Sequence, residues 1–372
     1  MAGWTGDVAI VGVGTTSFGS FPETDALGLA VEAFRSALDD CGLKKEDIDG
    51  LVVNRAGSYQ KIGEALGINP RWSLQLEASG RMSGASIIEA AIAIQSGLSN
   101  YVALLYGNDG KSRRVNYGGT ERIASDPFAA WGFTSPGAYH AMMFRMHMER
   151  YGTTIDQLGE VAVTFREHAR LNPLAVRREP MTLEDHRNSR MVCDPLRLFD
   201  YCQINDGGVA LIMAPLERAR DLAKVPVRIA GVGMADSFSA SSVPPSDFWY
   251  PALNRCARQV YESSGIGPSD VDAAMIYDNF TPTVLFTLEG MGFCGQGESG
   301  EFVEGRRLSL EGEMPCNTSG GHLSESYMQG WALNVEAVRQ LRSECGQRQV
   351  AGCETVQYVS ATPRCISIIY TR

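Results

Sequence analysis

The chain has 372 residues, 44% of them hydrophobic and 20% charged, with a formal net charge of -10. This composition supports one large or two medium globular units and argues against disorder. The acidic balance, without a basic stripe, argues against nucleic acid as a partner, and no apolar run approaches the roughly 18 residues of a membrane span.

The strand Val8–Gly14 (VAIVGVG) opens the chain, and no secretory-type apolar core follows Met1. Leu27–Cys41 carries apolar residues at helical spacing, and Gly42–Asn54 reads as a turn leading into a buried strand. Residues from Gly84 onward (GASIIEAAIAIQSG) form a helix, and Tyr101–Leu105 the strand after it. The same order then recurs. Val227–Gly233 (VRIAGVG) repeats the opening strand, Pro251–Ser264 the helix, Gly265–Tyr277 the turn and strand. Gly330 (GWALNVEAVRQLRS) begins the matching helix, with its strand within Cys353–Val359.

Alternating strands and helices imply mainly parallel sheets covered by helices, so the expected class is α/β with two duplicated halves. The halves are expected at residues 1–220 and 221–372. An insert at about 108–200 interrupts the first, with an amphipathic helix over Ala138–Tyr151. Arg81 lies three residues before Gly84 and Tyr327 three before Gly330, so the two are pseudo-symmetry mates at helix N-termini.

The nine cysteines (Cys41, Cys193, Cys202, Cys256, Cys294, Cys316, Cys345, Cys353 and Cys365) include no CxxC pair, and no His stands at metal-ligand spacing. They read as reduced thiols of a cytoplasmic protein, with no metal expected. Lys111, Arg113 and Arg114 form a local basic cluster that suits either a phosphate or a solvated loop.

Several motifs resemble the thiolase superfamily over nearly the whole chain. Asn205–Met213 (NDGGVALIM) is similar to the strand that closes the family's first half. Asn317–Tyr327 (NTSGGHLSESY) resembles the signature N-x-x-G-G-x-x-x-x-G-H, with Tyr327 at the catalytic His. Tyr277–Phe280 (YDNF) resembles N-E-A-F, with Tyr277 at the Asn that holds a catalytic water. Arg81–Gly84 (RMSG) fills the C-x-x-G of the nucleophile, so Arg81 stands where that Cys would be. The second catalytic Cys has no match around Tyr358–Pro363 (YVSATP), and Cys365 falls in the last strand.

Trp131–His140, Met148–Thr154, Ala169–Pro173 and Ser189–Asp200 resemble the branch of lipid-transfer-protein-like chains, related to the thiolase of sterol carrier protein X, that includes bacterial steroid side-chain aldolases. The resemblance implies a thiolase fold with a layered α/β/α/β/α core. It also implies retro-aldol cleavage of a 3-hydroxyacyl-CoA, with a steroid side chain as the acyl group, to a ketone or aldehyde and a shorter acyl-CoA. Coenzyme A enters as part of the substrate, and no cofactor is bound covalently. A homodimer is implied, as is a small DUF35 partner, an OB-fold with a zinc ribbon that would hold any zinc.

The catalytic pair implied is Tyr277 and Tyr327, one as base and one as acid. A phenol ordinarily titrates near pH 10, so a phenolic base at neutral pH needs roughly 4 kcal/mol of stabilisation. Backbone N–H groups of Gly320 and Gly321 are candidates to supply it. His322 either binds the enolate oxygen or packs. Asp278 and Glu325 either orient the tyrosines or cap helices, and Arg81 makes a salt bridge or a phosphate contact. His140 and His147, two turns apart, read as structural or exposed. Two other readings stay open: an acyltransferase using an unrecognised thiol such as Cys316, and a non-catalytic thiolase-like subunit that binds acyl-CoA.

Overall fold

The computed structural model describes residues 4–77, 82–115, 129–133, 135–237 and 244–372. Nine of its strands form one sheet: β1 (Val8–Thr15), β2 (Gly50–Asn54), β3 (Trp72–Leu76), β4 (Val102–Asn108), β7 (Gly207–Pro215), β8 (Val227–Asp236), β9 (Ala273–Ile276), β10 (Thr355–Ser360) and β11 (Arg364–Thr371). A separate ribbon pairs β5 (Met191–Cys193) with β6 (Leu196–Arg197).

The order β3-β2-β4-β7-β1-β8-β11-β10-β9 carries the duplication. From its middle outward, β1-β7-β4-β2 is mirrored by β8-β11-β10-β9, and the halves meet where Ala9 and Ile10 pair antiparallel with Arg228 and Val227. β2 pairs parallel with β3 and β4, as does β9 with β10, whereas β1, β7, β8 and β11 make antiparallel joins. The sheet is thus more mixed than the alternation of strands and helices implied. Residues 361–363 between β10 and β11 are too few for a parallel crossover, which takes about a dozen.

Side chains alternate across the strands and sort into layers. Ile10, Leu211, Met213, Met275, Tyr358 and Ile368 point to a central core with the helices Met82–Gln95 and Trp331–Leu341. Ala9, Val11, Ala210 and Ile212 face the outer helix Ala26–Cys41, while Ala274, Ile276, Cys365 and Ile369 face Tyr250–Ser264 and Thr281–Met291. The result is five layers, α/β/α/β/α. The two central helices are buried on nearly every face because both sides are covered, Met82–Gln95 with mostly apolar side chains and Trp331–Leu341 with Asn334, Glu336 and Gln340 among its buried residues.

The repeated glycines of the opening strands now have a cause. A Cβ at Gly14 would run into the Ala33 carbonyl oxygen, and one at Gly233 into that of Cys256, so each outer helix lies directly on its strand. Asp25 caps the first of these helices through the Gly28 N–H at 2.8 Å, and Gly42 ends it in the left-handed region.

The insert leaves the first half in sequence but packs on the second. Phe144 of the helix Pro136–Tyr151, and Leu158, Val161 and Phe165 of the helix Ile155–Arg170, share a core with Val284, Leu285 and Phe286. His147 is buried there, with Nε2 3.0 Å from Glu289 Oε1 and Nδ1 2.8 Å from Thr153 Oγ1. His140 stacks on Phe280 at 4.1 Å, and burial lowers its pKa to about 4. Both histidines are therefore structural. No helix among the described residues is long and apolar enough to cross a membrane.

Candidate active site

Two segments build the site: the end of β9, which delivers Tyr277 and Asp278, and the loop from Asn317 to Gly330, which leads into the central helix Trp331–Leu341. Asn317 couples them. Held at φ 46°, it accepts the Ile276 N–H on Oδ1 at 2.7 Å and donates from Nδ2 to the Ile276 carbonyl at 2.8 Å. The residue before Tyr277 is therefore clamped on both backbone groups.

The two tyrosines meet, with hydroxyl oxygens 2.9 Å apart and ring centroids 6.4 Å apart. Tyr277 is 2% exposed and Tyr327 half-buried. Burial, then the neighbouring Tyr327, pushes Tyr277 well above the usual phenol range. Tyr277 therefore holds its proton at neutral pH and suits the acid of the pair rather than the lowered phenol expected of the base, while either hydroxyl can donate across the contact. The Tyr327 backbone N–H in turn donates to Asn205 Oδ1 at 2.8 Å.

His322 packs edge-on against both rings, 4.6 Å from Tyr277 and 5.3 Å from Tyr327 between centroids. Its Nε2 accepts the Gly330 N–H at 2.9 Å, which leaves the proton on Nδ1. Asp278 Oδ1 lies 3.2 Å from Nδ1 but outside hydrogen-bond alignment. Burial lowers His322 to about 3, so the ring is neutral.

Asp278 caps the short turn Gly321–Ser324, accepting the N–H groups of His322 at 2.8 Å and Leu323 at 3.2 Å. Burial raises its carboxyl to about 7 against the lowering effect of those donors. Gly321 has φ 59°, and a Cβ there would collide with Asp278 Oδ2, so only glycine lets the carboxylate under the turn. The Gly320 N–H goes to the Asn317 carbonyl at 2.8 Å rather than to a phenol, and the N–H groups of His322 and Leu323 serve Asp278. Glu325 contacts neither tyrosine. It binds Ser319 Oγ at 2.7 Å and Asn172 Nδ2 at 2.9 Å, and burial followed by Glu336 raises it to about 7.

The insert grips this loop from outside. Gln203 donates its backbone N–H to the His322 carbonyl at 2.9 Å and Nε2 to that of Leu323 at 2.6 Å, and Asn172 reaches the Ser319 carbonyl at 3.0 Å. The pseudo-symmetric helix starts converge as well: a Cβ on Gly330 would contact Ser83 Oγ and Tyr358 Oη, themselves 2.9 Å apart. Arg81 lies outside the described residues. Lys111, Arg113 and Arg114 sit on an exposed turn, where Arg113 pairs with Asp109 at 3.3 Å.

Burial raises all nine thiols. Cys316 and Cys365 are fully buried, and Cys202, within electrostatic reach of Asp278, is raised by that carboxylate too. A thiol nucleophile needs its pKa lowered, and none here is. No group of His, Cys, Asp or Glu among the described residues is arranged to hold a metal.

Duplicated halves in five layers, with the site where two central helices begin, define a thiolase-fold protein. Residues 235–362 match the family model described as thiolase C-terminal domain-like. A steroid side-chain-cleaving aldolase from Thermomonospora curvata is 37% identical over 91% of this chain and 90% of its own. A 17-hydroxy-3-oxo-4-pregnene-20-carboxyl-CoA lyase from Mycobacterium tuberculosis is 35% identical over 96% and 97%. The solved structure of an Ltp2–ChsH2(DUF35) aldolase superposes with a TM-score of 0.92 at 34% identity, over 99% of this chain and 98% of that one. The chain belongs to the thiolase superfamily, in the sterol-carrier-protein-like branch that includes steroid side-chain aldolases.

Proposed function

We propose that this chain is a carbon–carbon lyase that cleaves a 3-hydroxyacyl-CoA by retro-aldol chemistry. The observation that carries the reading is the 2.9 Å pair of phenols, Tyr277 and Tyr327, in a protein whose thiols are all raised. Tyr327 is the more exposed of the two and takes the proton of the 3-hydroxyl. Tyr277, buried and protonated, donates to the Tyr327 oxygen and stabilises negative charge on it. The bond between carbons 2 and 3 breaks, carbon 3 becomes the carbonyl of a ketone or aldehyde, and the electron pair moves onto the thioester as an enolate. The proton then returns from Tyr327 to carbon 2, giving the shorter acyl-CoA. The sequence balances without an external thiol, water or cofactor.

The substrate named for the Mycobacterium relative supports a steroid side-chain ester with a tertiary hydroxyl as the substrate class. The pairing in the Ltp2–ChsH2(DUF35) structure supports a small DUF35 partner, which would hold any zinc. A homodimer is supported by β3, which pairs only with β2 among the described residues and so offers a sheet edge to a second copy. The cysteine usage fits a cytoplasmic protein.

The test offers 3-hydroxyacyl-CoA esters bearing a tertiary hydroxyl to the purified chain with its partner, and follows ketone and short acyl-CoA by mass spectrometry. Cleavage without free CoA, lost in Tyr277→Phe and Tyr327→Phe, supports the lyase. CoA-dependent splitting of a 3-ketoacyl-CoA in its place overturns it.

A further inference from the structure

Arg166 and Arg177 sit beside the catalytic loop and outside the machinery described above. Arg166 is 4% exposed, donates from Nε to Ser324 Oγ at 2.8 Å, and lies 5.3 Å from the centre of the Phe199 ring. Arg177 lies over the same ring at 5.7 Å, and its backbone N–H donates to the Ser324 carbonyl at 3.0 Å. Both cations are thus fixed to the loop that carries His322 and Tyr327.

Their charges are not neutralised by contact. Neither forms an ion pair with a described residue; Arg166 reaches Glu179 only at its backbone carbonyl, at 3.3 Å, and is lowered to about 10 by burial and then by the Arg177 charge, which the Glu179 charge only partly offsets. Arg177 is half-buried, and its Nη1 is buried without a hydrogen-bond partner. A buried guanidinium N–H left unpaired is costly, the more so when charged, unless a ligand, ion or water satisfies it. The planar fork of Arg177 fits an oxyanion, and phosphate above all.

We infer that Arg177, backed by Arg166 and Phe199, is a phosphate subsite that takes the nucleotide end of coenzyme A. The inference rests on the acyl-CoA reading and extends it to how the ligand is held. Arg177 stands on the stretch that leaves the insert helix Ile155–Arg170 and touches the catalytic loop at Ser324, so a phosphate bound there anchors the ligand outside the tyrosine pair while the pantetheine arm runs inward.

The test is calorimetric titration of the full chain, wild type and Arg177→Gln, with free CoA and with pantetheine, which lacks the phosphates. CoA is expected to bind about tenfold or more weakly to Arg177→Gln, with part of the loss restored in Arg177→Lys and pantetheine binding unchanged. Inorganic phosphate is expected to compete with CoA in the wild type and much less in the variant. Equal CoA affinity in wild type and Arg177→Gln overturns the subsite, as does an equal loss for CoA and pantetheine, which makes the residue merely structural. Binding requires no bond cleavage, so a chain that passes these titrations and cleaves no 3-hydroxyacyl ester refutes the lyase while the subsite stands.

Discussion

The Asn205 side-chain oxygen accepts the Tyr327 backbone N–H at 2.8 Å, so a residue at the mouth of β7 in the first half sets the position of a tyrosine in the second. Asn205 is itself fixed, with its carbonyl taking Asn108 Nδ2 at 2.7 Å and its Nδ2 donating to the Asp206 carbonyl at 3.1 Å. Asn205→Ala leaves a buried N–H unpaired and Tyr327 free to shift. A misplacement of about 1 Å costs on the order of a hundredfold in rate, so kcat is expected to fall roughly 10–100-fold with KM little changed. Asn205→Asp, which still accepts, is expected to keep most of the rate. Steady-state kinetics of both variants, with thermal melts to check the fold, decide it.

The thiols give a second expectation. With Cys316 and Cys365 fully buried and all nine raised, iodoacetamide at neutral pH is expected to leave cleavage largely intact, and Cys316→Ala and Cys202→Ala to stay within about threefold of wild type. Loss of activity in step with alkylation of one cysteine, mapped by mass spectrometry, would restore the acyltransferase reading.

Much of this was legible from the chain alone. The two copies of the glycine-bearing strand could be read because each glycine answers the same local demand, a helix lying on its strand. The tyrosines could be read because each fills a polar position in a spaced motif. Asn205 and Asn317 were not read as positioning residues, since each bonds a backbone group far away in sequence and no spacing encodes that. Which of the two tyrosines is the buried, raised one also escaped, because a phenol's burial depends on what folds over it. The same holds for the insert: nothing in its composition says that it covers the second half rather than the first that carries it.

Two buried carboxyls, Asp278 and Glu325, are each raised to about 7, from ordinary values near 4. The folded state therefore binds more protons than the unfolded one across that interval, and stability is expected to fall as pH rises from about 4 to about 7. Their contribution is fully present below the unfolded values and lost through the folded ones. A double variant, Asp278→Asn with Glu325→Gln, removes both titrations. Its melting temperature is expected to vary less with pH, by roughly 5 °C across the window. Parallel melting curves for the two proteins would mean that neither carboxyl titrates there.

Gly321 tests the link between backbone and site most directly. It holds φ 59°, where an alanine costs roughly 1–2 kcal/mol by conformation alone, and its added Cβ would displace the Asp278 carboxylate that anchors the turn bearing His322. Gly321→Ala is expected to fold with a lower melting temperature and to lose more activity than the roughly 10–100-fold expected for Asn205→Ala, because the His322 ring packs against both tyrosines and moves with the turn. Gly267→Ala, in the exposed turn before β9 where a Cβ meets only Asp270 Oδ2 at 3.5 Å, serves as the control and is expected to keep full activity. Comparable activity in the two variants would mean that the turn does not position the tyrosines.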